Sequence, residues 1–395
     1  LGGRVAQLGF MFPQHDCVLC RGTPDHGYGC TRPSISPAYV QHNQHPNIEI
    51  MTNTQVVDMV GQAGDFTISL RQEPRYVDSV RCINCDYCTQ VCPVELPDSY
   101  QRGMRNRKAV YKVSARAAPN TYVVDKGPYC DDCGRCVEIC PTAAIDLDQQ
   151  PRLLSVHVGA VILAIGFKVY DATGLQELGY GRYANVVDAM QYERLASRSG
   201  PTEGIITRPS DDKEPKSVAW LQCIGSRDQE TSYCSSICCM YATKEAMLAK
   251  QRLGEEVECT IFMMEERAFN KEYSNYFAKA RANHNVHYVH CRVSAIQEDP
   301  HSGDLILHYA EPNGQLKEER FEMVVLATGL QPPDSARHFT NMLEIDLNEH
   351  GFCETDKFTP LQTSHSGVFV CGAFSSPKEI SETILDASGA AAEVM

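Results

Sequence analysis

Four cysteines stand at fixed intervals in the segment Cys82-Ile-Asn-Cys85-Asp-Tyr-Cys88-Thr-Gln-Val-Cys92-Pro93. The chain repeats the pattern once, as Cys130-x2-Cys133-x2-Cys136-x3-Cys140-Pro141. These two runs take eight of the nineteen cysteines. Cysteines clustered at such spacings predict thiolates that bind a metal group in a reducing compartment, because a disulfide-stapled secreted protein would be smaller and differently patterned.

The spacing is the ligand pattern of ferredoxins that carry two 4Fe–4S clusters. A C-x2-C-x2-C loop reaches three corners of a cubane and leaves the fourth out of reach, so the fourth ligand comes from the other run. Structural zinc is the alternative, but a zinc site needs only four cysteines and does not need a third cysteine at the same two-residue spacing. We therefore expect one cluster on Cys82, Cys85, Cys88 and Cys140, and a second on Cys130, Cys133, Cys136 and Cys92.

Length and charge narrow the class of protein. A chain of 395 residues suits two or three domains. The net charge of −14, with no basic stripe, argues against nucleic acid as a partner. The longest apolar runs, such as residues 158–167, fall below the roughly 18 residues of a membrane span. We expect a cytoplasmic protein with no direct membrane span. The opening Leu1-Gly2-Gly3-Arg4 is interpreted as the inside of a domain, which indicates an N-terminally truncated fragment.

The order of patterns along the chain predicts an insertion. Alternating segments at 47–58 and 65–70 indicate strands, and a strand pattern resumes at 154–166 after the cysteine runs. The cluster-binding region is therefore placed inside another domain. From Ser217 onward strands alternate with helices, which predicts a parallel sheet.

Three apolar strands end in related turns, at residues 161–166, 324–329 and 367–373, and a helix carrying residues 387–391 follows the last. With the opening Leu-Gly-Gly, this set resembles the flavoprotein disulfide reductases of thioredoxin reductase type. The resemblance implies an α/β fold with two dinucleotide-binding domains and an inserted α+β ferredoxin domain. It divides the chain into a first part of the FAD domain (1–74), the ferredoxin insert (75–150), an FAD-domain strand with a connecting segment (151–210), a second nucleotide-type Rossmann domain (211–332) and the C-terminal part of the FAD domain (333–395).

The insert, together with the segments 222–227 and 233–242, resembles the A subunits of heterodisulfide reductases along essentially the whole chain. The resemblance implies an oxidoreductase subunit whose FAD takes electrons from a donor subunit, such as a hydrogenase or formate dehydrogenase. The electrons pass, in some complexes by bifurcation, to a disulfide-reducing partner and to ferredoxin. It also implies a homodimer within a larger complex.

The same resemblance implies the FAD contacts. The phosphate-binding G-x-G-x-x-G turn is expected upstream of Leu1, and Ala373 stands where relatives usually place an aspartate, which weakens one FAD contact. The cofactor-binding candidates are Gly2, Gly3, Arg4, Ala164, Gly166, Gly372, Ala373, Ser388 and Gly389.

A second cysteine set lies in the middle domain, at Cys223, Cys234, Cys238 and Cys239. Four thiols where a strand ends and a helix begins predict a third 4Fe–4S cluster, since a helix N-terminus favours anionic sulfur. A redox-active dithiol and buried structural cysteines are the alternatives. Lys244 follows within two helical turns, and we predict that it faces the flavin and tunes its potential, against the alternative of a solvated surface lysine.

Two features of the sequence, the turn at 223–227 and the cysteines near the N-terminus, allow more than one interpretation. The turn Cys223-Ile-Gly225-Ser-Arg227 has one glycine where an NAD-binding turn uses three, which makes nicotinamide binding doubtful. Cys17, Cys20 and Cys30 either complete a cluster with ligands from elsewhere or form a loop with reactive or zinc-binding thiols.

The leading hypothesis is an electron-transferring oxidoreductase subunit with one FAD, two clusters in the insert and a third in the middle domain. The alternatives are an NAD(P)H-dependent iron–sulfur flavin oxidoreductase, a flavin-free cluster scaffold and a quinone-interacting subunit.

Overall fold

The computed structural model describes residues 3–13, 46–114 and 119–395. Its strands are, in chain order, β1 (Thr54–Gln62), β2 (Asp65–Gln72), β3 (Glu95–Pro97), β4 (Asn106–Lys108), β5 (Val110–Tyr111), β6 (Val123–Val124), β7 (Arg152–Val158), β8 (Val161–Leu163), β9 (Lys168–Val169), β10 (Val186–Asp188), β11 (Ser217–Ile224), β12 (Glu258–Met263), β13 (His287–His290), β14 (Val293–Glu298), β15 (Leu305–Ala310), β16 (Leu316–Phe321), β17 (Met323–Thr328), β18 (Leu330–Gln331) and β19 (Val368–Val370). Its α-helices are α1 (Tyr87–Val91), α2 (Arg135–Ile139), α3 (Ala189–Ala196), α4 (Cys238–Leu253), α5 (Tyr273–His284), α6 (Ala336–Leu343) and α7 (Ile380–Val394). None of the helices in these described ranges combines the length and apolar character needed to cross a bilayer.

A three-stranded antiparallel sheet, β1-β2-β7, holds both ends of the cysteine-rich region. Strands β2 and β7 are neighbours in this sheet, with Leu70 opposite Leu154 and Gln72 opposite Arg152. Residues 73–151, called the insert below, therefore leave and re-enter the sheet at one point. Such a connection adds a unit without disturbing the pairing on either side.

The insert has its own small core. Its apolar side chains include Leu96, Val110 and Val124, and the pairing of Val77 with Ile145 closes the unit near its two ends. The short hairpins β3-β4 and β5-β6 lie between the two cysteine runs. This core is shared with cysteines of both runs, so the insert folds around the thiols.

The middle unit is built on a five-stranded parallel sheet in the order β10-β17-β11-β12-β13. Its strands carry continuous buried apolar runs, as parallel sheets covered on both faces require. Helix α4 contacts β11 and β12 and shares a core with Trp220 and Ile261 on one face. Side chains of the antiparallel meander β14-β15-β16, such as Leu307 and Phe321, form the core on the other face.

Strand β10 pairs in parallel with β17, through Val187 and Val325. The segment 151–210 was expected to belong to the FAD domain and its connection, yet its strand 186–188 and helix α3 join the sheet and core of the middle unit. The short β10 run, Val186-Val187-Asp188, gives too little periodicity to assign it to a sheet from sequence.

The remaining strands join segments that lie before and after the middle unit in the sequence. Strand β8 pairs in parallel with β19, with Val161 opposite Val368. The linkers β9 and β18 pair antiparallel between this unit and the middle unit. These pairings connect segments that are far apart in the sequence, and their assignment to one FAD domain stays a prediction.

Candidate cofactor sites

Cysteines of both runs line each of two small cavities in the insert. The first cavity is lined by Cys82, Cys85, Cys88 and Cys140, with Val77, Ile83, Tyr122 and Ile145 among its other walls. The second is lined by Cys92, Cys130, Cys133 and Cys136, with Val94, Ala109, Val110 and Leu147. Each cavity therefore takes three thiols from one run and the fourth from the other.

The two cysteine loops share one backbone conformation. Asn84 and Asp132 occupy the same place in their loops, and both have a positive φ, of 57° and 52°. The next matched pair, Asp86 and Gly134, has φ of 68° and 72°, and each begins a helix of five residues. Left-handed residues at these points fold each loop into a tight arc that brings its thiols to one side.

The thiols differ in proton affinity. Burial raises the pKa of Cys88 to about 12, and it raises the pKa of Cys136 as well. Burial also acts on Cys140, but hydrogen bonds from Ala144 N at 3.2 Å and from Thr142 outweigh it and lower the pKa of Cys140. Buried thiols release their protons when iron binds, because the ligand is the thiolate. Four thiols in an otherwise apolar wall fit a 4Fe–4S cluster, whose potential depends on burial and on hydrogen bonds to sulfur.

The second cysteine set lies at the carboxyl end of β11. Cys223 has a positive φ of 61°, and Cys238 and Cys239 are the first two residues of α4. Burial, then the nearby Cys239, Cys223 and Cys234, raise the pKa of Cys238 well above its ordinary value. Burial, aided by Cys223 and Cys234 and opposed by the Arg267 backbone, raises the pKa of Cys239 to about 11. The structure thus brings these four thiols within electrostatic reach of one another.

Two arginines adjoin this set. The Arg227 guanidinium lies close enough to Cys223 to oppose the rise in the pKa of that thiol, and the Cys234 thiol is among the groups that raise the pKa of Arg267. Both guanidinium groups also pair with Glu265 Oε1, at 2.8 Å from Arg227 Nη2 and 2.6 Å from Arg267 Nε. Cations beside thiols favour the thiolate form. In the described parts of the chain, no group of three or more His, Cys, Asp or Glu side chains is arranged to hold a metal ion, so the cluster assignments rest on cysteine spacing and on the cavities that the cysteines line.

A cavity of about 500 Å³, called the central pocket below, lies between the N-terminal segment, α3, α4 and the start of α7. Its aromatic walls are Phe10, Phe12, Phe167, Tyr241 and Tyr273. Cavities of about 300–1,000 Å³ with apolar walls and few polar groups are the usual binding sites for cofactor-sized molecules. The aromatic walls and the size fit a flavin ring, and the flavin would supply exchange between two-electron and one-electron chemistry.

A buried ionic cluster forms one wall of the central pocket. Lys244 Nζ pairs with Glu193 Oε1 and donates to Phe10 O at 3.1 Å. Glu193 Oε2 accepts from Gly9 N at 3.2 Å. Lys244 therefore lies at the wall of the central pocket, where it is buried and paired rather than solvated at the surface, and its action on a flavin stays a prediction.

A second carboxyl group lies next to that pair. Glu245 Oε2 accepts from Trp220 Nε1 at 2.9 Å, while its Oε1 atom is buried with no hydrogen-bond partner. Burial first and the Glu193 carboxylate second raise the pKa of Glu245 well above its ordinary value, against the opposing effect of Lys244. The site has one cation for two carboxyl groups, which favours the neutral form of Glu245.

A third carboxyl group of the pocket wall joins two units. Glu379 begins α7, and its side chain accepts from Asn270 Nδ2, Tyr273 OH and Ser381 Oγ. Since Asn270 and Tyr273 belong to the middle unit, Glu379 connects that unit to the C-terminal helix beside the pocket.

The predicted FAD contacts are dispersed. Arg4 lines the central pocket. Ala164 and Gly166 follow β8, and Gly166 has a positive φ of 73°. Gly3 has a positive φ of 47° and open space around it.

The remaining FAD candidates lie around α7. Gly372 N donates to Asp386 Oδ2 at 3.2 Å, and Ala373 is buried beside it. Ser388 Oγ donates to Ile384 O at 2.9 Å within the helix. A side chain at Gly389 would meet Leu361, so this glycine permits close packing of the helix.

The turn after β11 is covered by an aromatic ring. Gly225 has a φ of 69°, and a Cβ there would lie 2.1 Å from the ring of Tyr170. A dinucleotide pyrophosphate approaches the backbone of such a turn closely. The ring of Tyr170 occupies that approach.

Some predicted positions lie outside the described residues, namely Gly2, Cys17, Cys20 and Cys30. Sequence reasoning missed the partners of Lys244, which are Glu193, Glu245 and the Phe10 carbonyl. They come from separate segments, so no local spacing indicated them. The only usable signal was the pair of acidic residues at 193 and 245 on helical segments with apolar neighbours.

Comparison with known proteins gives two family matches. The 4Fe-4S dicluster domain matches residues 75–141. The pyridine nucleotide-disulphide oxidoreductase family matches residues 135–391. Together they confirm the predicted fold class, a mixed α/β flavoprotein-type fold with an inserted dicluster unit.

Curated relatives align along the whole chain. The chain is 38% identical over 397 residues to the second iron–sulfur A subunit of CoB–CoM heterodisulfide reductase from Methanopyrus kandleri, covering 99% of this chain and 58% of that protein. It is 35% identical over 399 residues to the A subunit of the H(2):CoB-CoM heterodisulfide,ferredoxin reductase of Methanothermobacter thermautotrophicus, covering 99% and 58%. It is 36% identical over 399 residues to the A subunit of the H(2)/formate:CoB-CoM heterodisulfide,ferredoxin reductase of Methanococcus maripaludis, covering 100% and 58%. The chain thus spans less than two thirds of the length of these relatives.

Proposed function

The chain belongs to the pyridine nucleotide-disulphide oxidoreductase family and matches the A subunits of heterodisulfide reductases along its whole length, and from this premise we propose an electron-transfer function. The chain holds FAD in the central pocket and two 4Fe–4S clusters in the insert, and it distributes electrons within a heterodisulfide-reductase-type complex. The resemblance expected from the sequence is confirmed by the names of the relatives.

One observation supports the proposal most directly. Thiols from two distant runs meet in two apolar cavities of a unit inserted into a flavoprotein-type fold. A purely structural unit of this size does not need eight unpaired thiols at cluster spacing. The insert and the central pocket are parts of one chain, so one chain would combine one-electron carriers with a flavin-sized cavity.

The chain's own residues shape the chemistry of the pocket. Lys244 supplies a fixed positive charge at the wall, which favours the extra negative charge of a reduced flavin. Glu193 holds that ammonium group in place, and the raised pKa of Glu245 favours a neutral carboxyl group beside the ion pair.

We further propose that Cys223, Cys234, Cys238 and Cys239 hold a third 4Fe–4S cluster. Their mutual electrostatic effects and the adjoining Arg227 and Arg267 support this assignment over isolated structural cysteines. A redox dithiol remains the competing assignment, and iron analysis of variants distinguishes the two.

Partners follow from the names of the relatives. Those names specify CoB–CoM heterodisulfide, ferredoxin, hydrogen and formate for the relatives. For this chain we propose a disulfide-reducing partner, a ferredoxin acceptor and a hydrogenase or formate dehydrogenase donor, with homodimers inside the larger complex. Flavin-based bifurcation belongs to the same proposal.

Anaerobic purification of the chain tests the proposal. We expect bound FAD and, after iron–sulfur reconstitution, about twelve iron atoms per chain with the third cluster and about eight without it. Flavin-free protein that keeps its iron would overturn the flavin assignment and favour a cluster scaffold. Bleaching of the flavin by NADH alone would favour the NAD(P)H-dependent alternative. The match to the pyridine nucleotide-disulphide oxidoreductase family is the reason to test it.

A further inference from the structure

A loop of the insert, residues 98–105, connects β3 to β4 and makes a specific contact with the rest of the chain; it is called the docking loop below. Asp98 Oδ1 accepts from Tyr100 N at 3.0 Å and from Gln101 N at 3.4 Å, which caps a short turn. Arg102 follows with a positive φ of 58°. The side chain of Gln101 is buried, although it belongs to a loop. Loops normally lie at the surface, so the burial of Gln101 means that another part of the same chain covers the docking loop.

The residue that contacts the Gln101 side chain is a buried arginine on α3. Arg194 is fully buried, and its Nε donates to Gln101 Oε1 at 2.9 Å. Its Nη1 donates to Gln7 O and its Nη2 donates to Ser199 Oγ at 3.1 Å. Gln101 Nε2 donates in turn to Ser199 O at 3.0 Å. One guanidinium therefore joins the insert, the middle unit and the N-terminal segment.

Further contacts extend this interface on both sides of Arg194. Gln7 Nε2 donates to Tyr100 O at 2.8 Å, and Tyr100 OH donates to Ala6 O at 2.5 Å. Arg102 pairs with Asp188 at 2.5 Å, at the start of α3. Charged hydrogen bonds to buried groups are costly to lose, so the docking loop is held firmly in one place.

The interface lies one layer from the central pocket. Tyr100, Val5 and Leu8 pack against the buried Ala6 in one small apolar cluster, and Val5 and Leu8 also line the pocket. Glu193, which pairs with Lys244 at the pocket wall, directly precedes Arg194 on α3.

The segments that flank the docking loop in sequence line one cysteine site and not the other. Val94 precedes the loop in sequence, Ala109 and Val110 follow it, and all three line the cavity of Cys92, Cys130, Cys133 and Cys136. The walls of the other cavity include Val77, Ala144 and Ile145, near the two ends of the insert.

We propose that the docking loop fixes the insert on α3 with the Cys92 site toward the central pocket, and that Gln101 and Arg194 are positioning residues for electron exchange between the insert and the pocket. The electron-exchange part of this inference rests on the proposed function, whereas the docking part rests only on contacts within the chain.

Hydrogen exchange of the whole chain tests the docking. Gln101→Ala removes the acceptor of Arg194 and a donor to Ser199, and we expect amides of residues 98–105 to exchange at least about tenfold faster. Lys108→Ala is the matched control, because Lys108 lies on β4 beside the loop and pairs with exposed Glu95 at 2.9 Å. Unchanged protection of the loop in Gln101→Ala would overturn the docking.

Electron exchange is measured on the same variants. After photoreduction of the bound flavin, bleaching of the clusters should slow at least about tenfold in Gln101→Ala, at unchanged iron and flavin content, and stay at the parental rate in Lys108→Ala. Arg194→Lys, which keeps the charge but loses the fork of donors, should behave like Gln101→Ala. A loosened loop with parental bleaching would overturn the positioning function.

A separate experiment tests which of the two cysteine sites lies toward the central pocket. Cys85→Ala removes a ligand of the first site, and Cys133→Ala removes a ligand of the second. We expect rapid bleaching of the remaining insert cluster to persist in Cys85→Ala and to be lost in Cys133→Ala; the reverse result would overturn the orientation. If the chain binds no flavin, the proposed function fails by itself, and the exchange measurement alone decides the docking.

Discussion

Lys244 and Glu193 form an ion pair at the wall of the central pocket, with 2% and 4% of their side chains exposed. The pair joins α3 to α4 across the middle unit. An ion pair removed from water stabilises a fold only while both partners are present. Its position beside a flavin-sized cavity gives it a chemical consequence as well.

Replacing one member of this pair should destabilise the protein strongly. Lys244→Met leaves the Glu193 carboxylate buried without its cation, and we expect the free energy of unfolding to fall by about 3–5 kcal/mol. The double variant Lys244→Met/Glu193→Gln should recover most of this loss. Denaturant unfolding of the flavin-free chain measures both, and equal losses in the single and double variants would contradict the pairing.

Glu245 predicts a dependence of stability on pH. Burial and Glu193 raise its pKa in the folded state above the ordinary 4.5, so its contribution is fully present below that value and is lost as pH rises toward the folded pKa. Glu245→Gln keeps an acceptor for Trp220 and cannot ionise. We expect this variant to lose less stability than the parent between about pH 5 and pH 8, in unfolding curves at matched ionic strength. Parallel pH profiles would show that Glu245 is already ionised.

Iron content decides the third cluster. Cys234→Ala should lower the iron of the reconstituted chain by about four atoms, because a cubane that loses a ligand is released. Cys353→Ala is the control, since Cys353 is a buried cysteine in the core beside Val370 and Phe374. Parental iron in Cys234→Ala, with a change in the count of reactive thiols, would favour the dithiol.

The repeat of the two cysteine loops predicts which substitutions Gly134 accepts. Its φ of 72° matches the 68° of Asp86, and a Cβ at Gly134 would meet no atom within 4 Å. Asn adopts this conformation readily, whereas a β-branched residue does so at a cost of at least about 1–2 kcal/mol. Gly134→Asn should therefore keep parental iron, and Gly134→Val should bind less. Equal iron in both variants would show that the loop conformation is not needed for assembly.

The sequence by itself determined the parts whose ligands or periodicity are local. Two cysteine runs at one spacing predicted a dicluster unit, now matched by the dicluster domain at 75–141. The apolar strand beginning at Ser217 and the helix ending before Gly254 were predicted within about two residues, because buried strands and amphipathic helices repeat over short distances. The insertion followed from strand patterns on either side of the runs.

Only the tertiary structure decided what distant segments do together. It placed Glu193 against Lys244, set Gln101 of the insert on Arg194, and moved strand β10 into the middle sheet. Nothing in the spacing of these residues marks them, since each is an ordinary polar or apolar residue within its own segment. Their effect arises because burial removes water from groups that then must find partners, and those partners are fixed by how the sheets and helices pack.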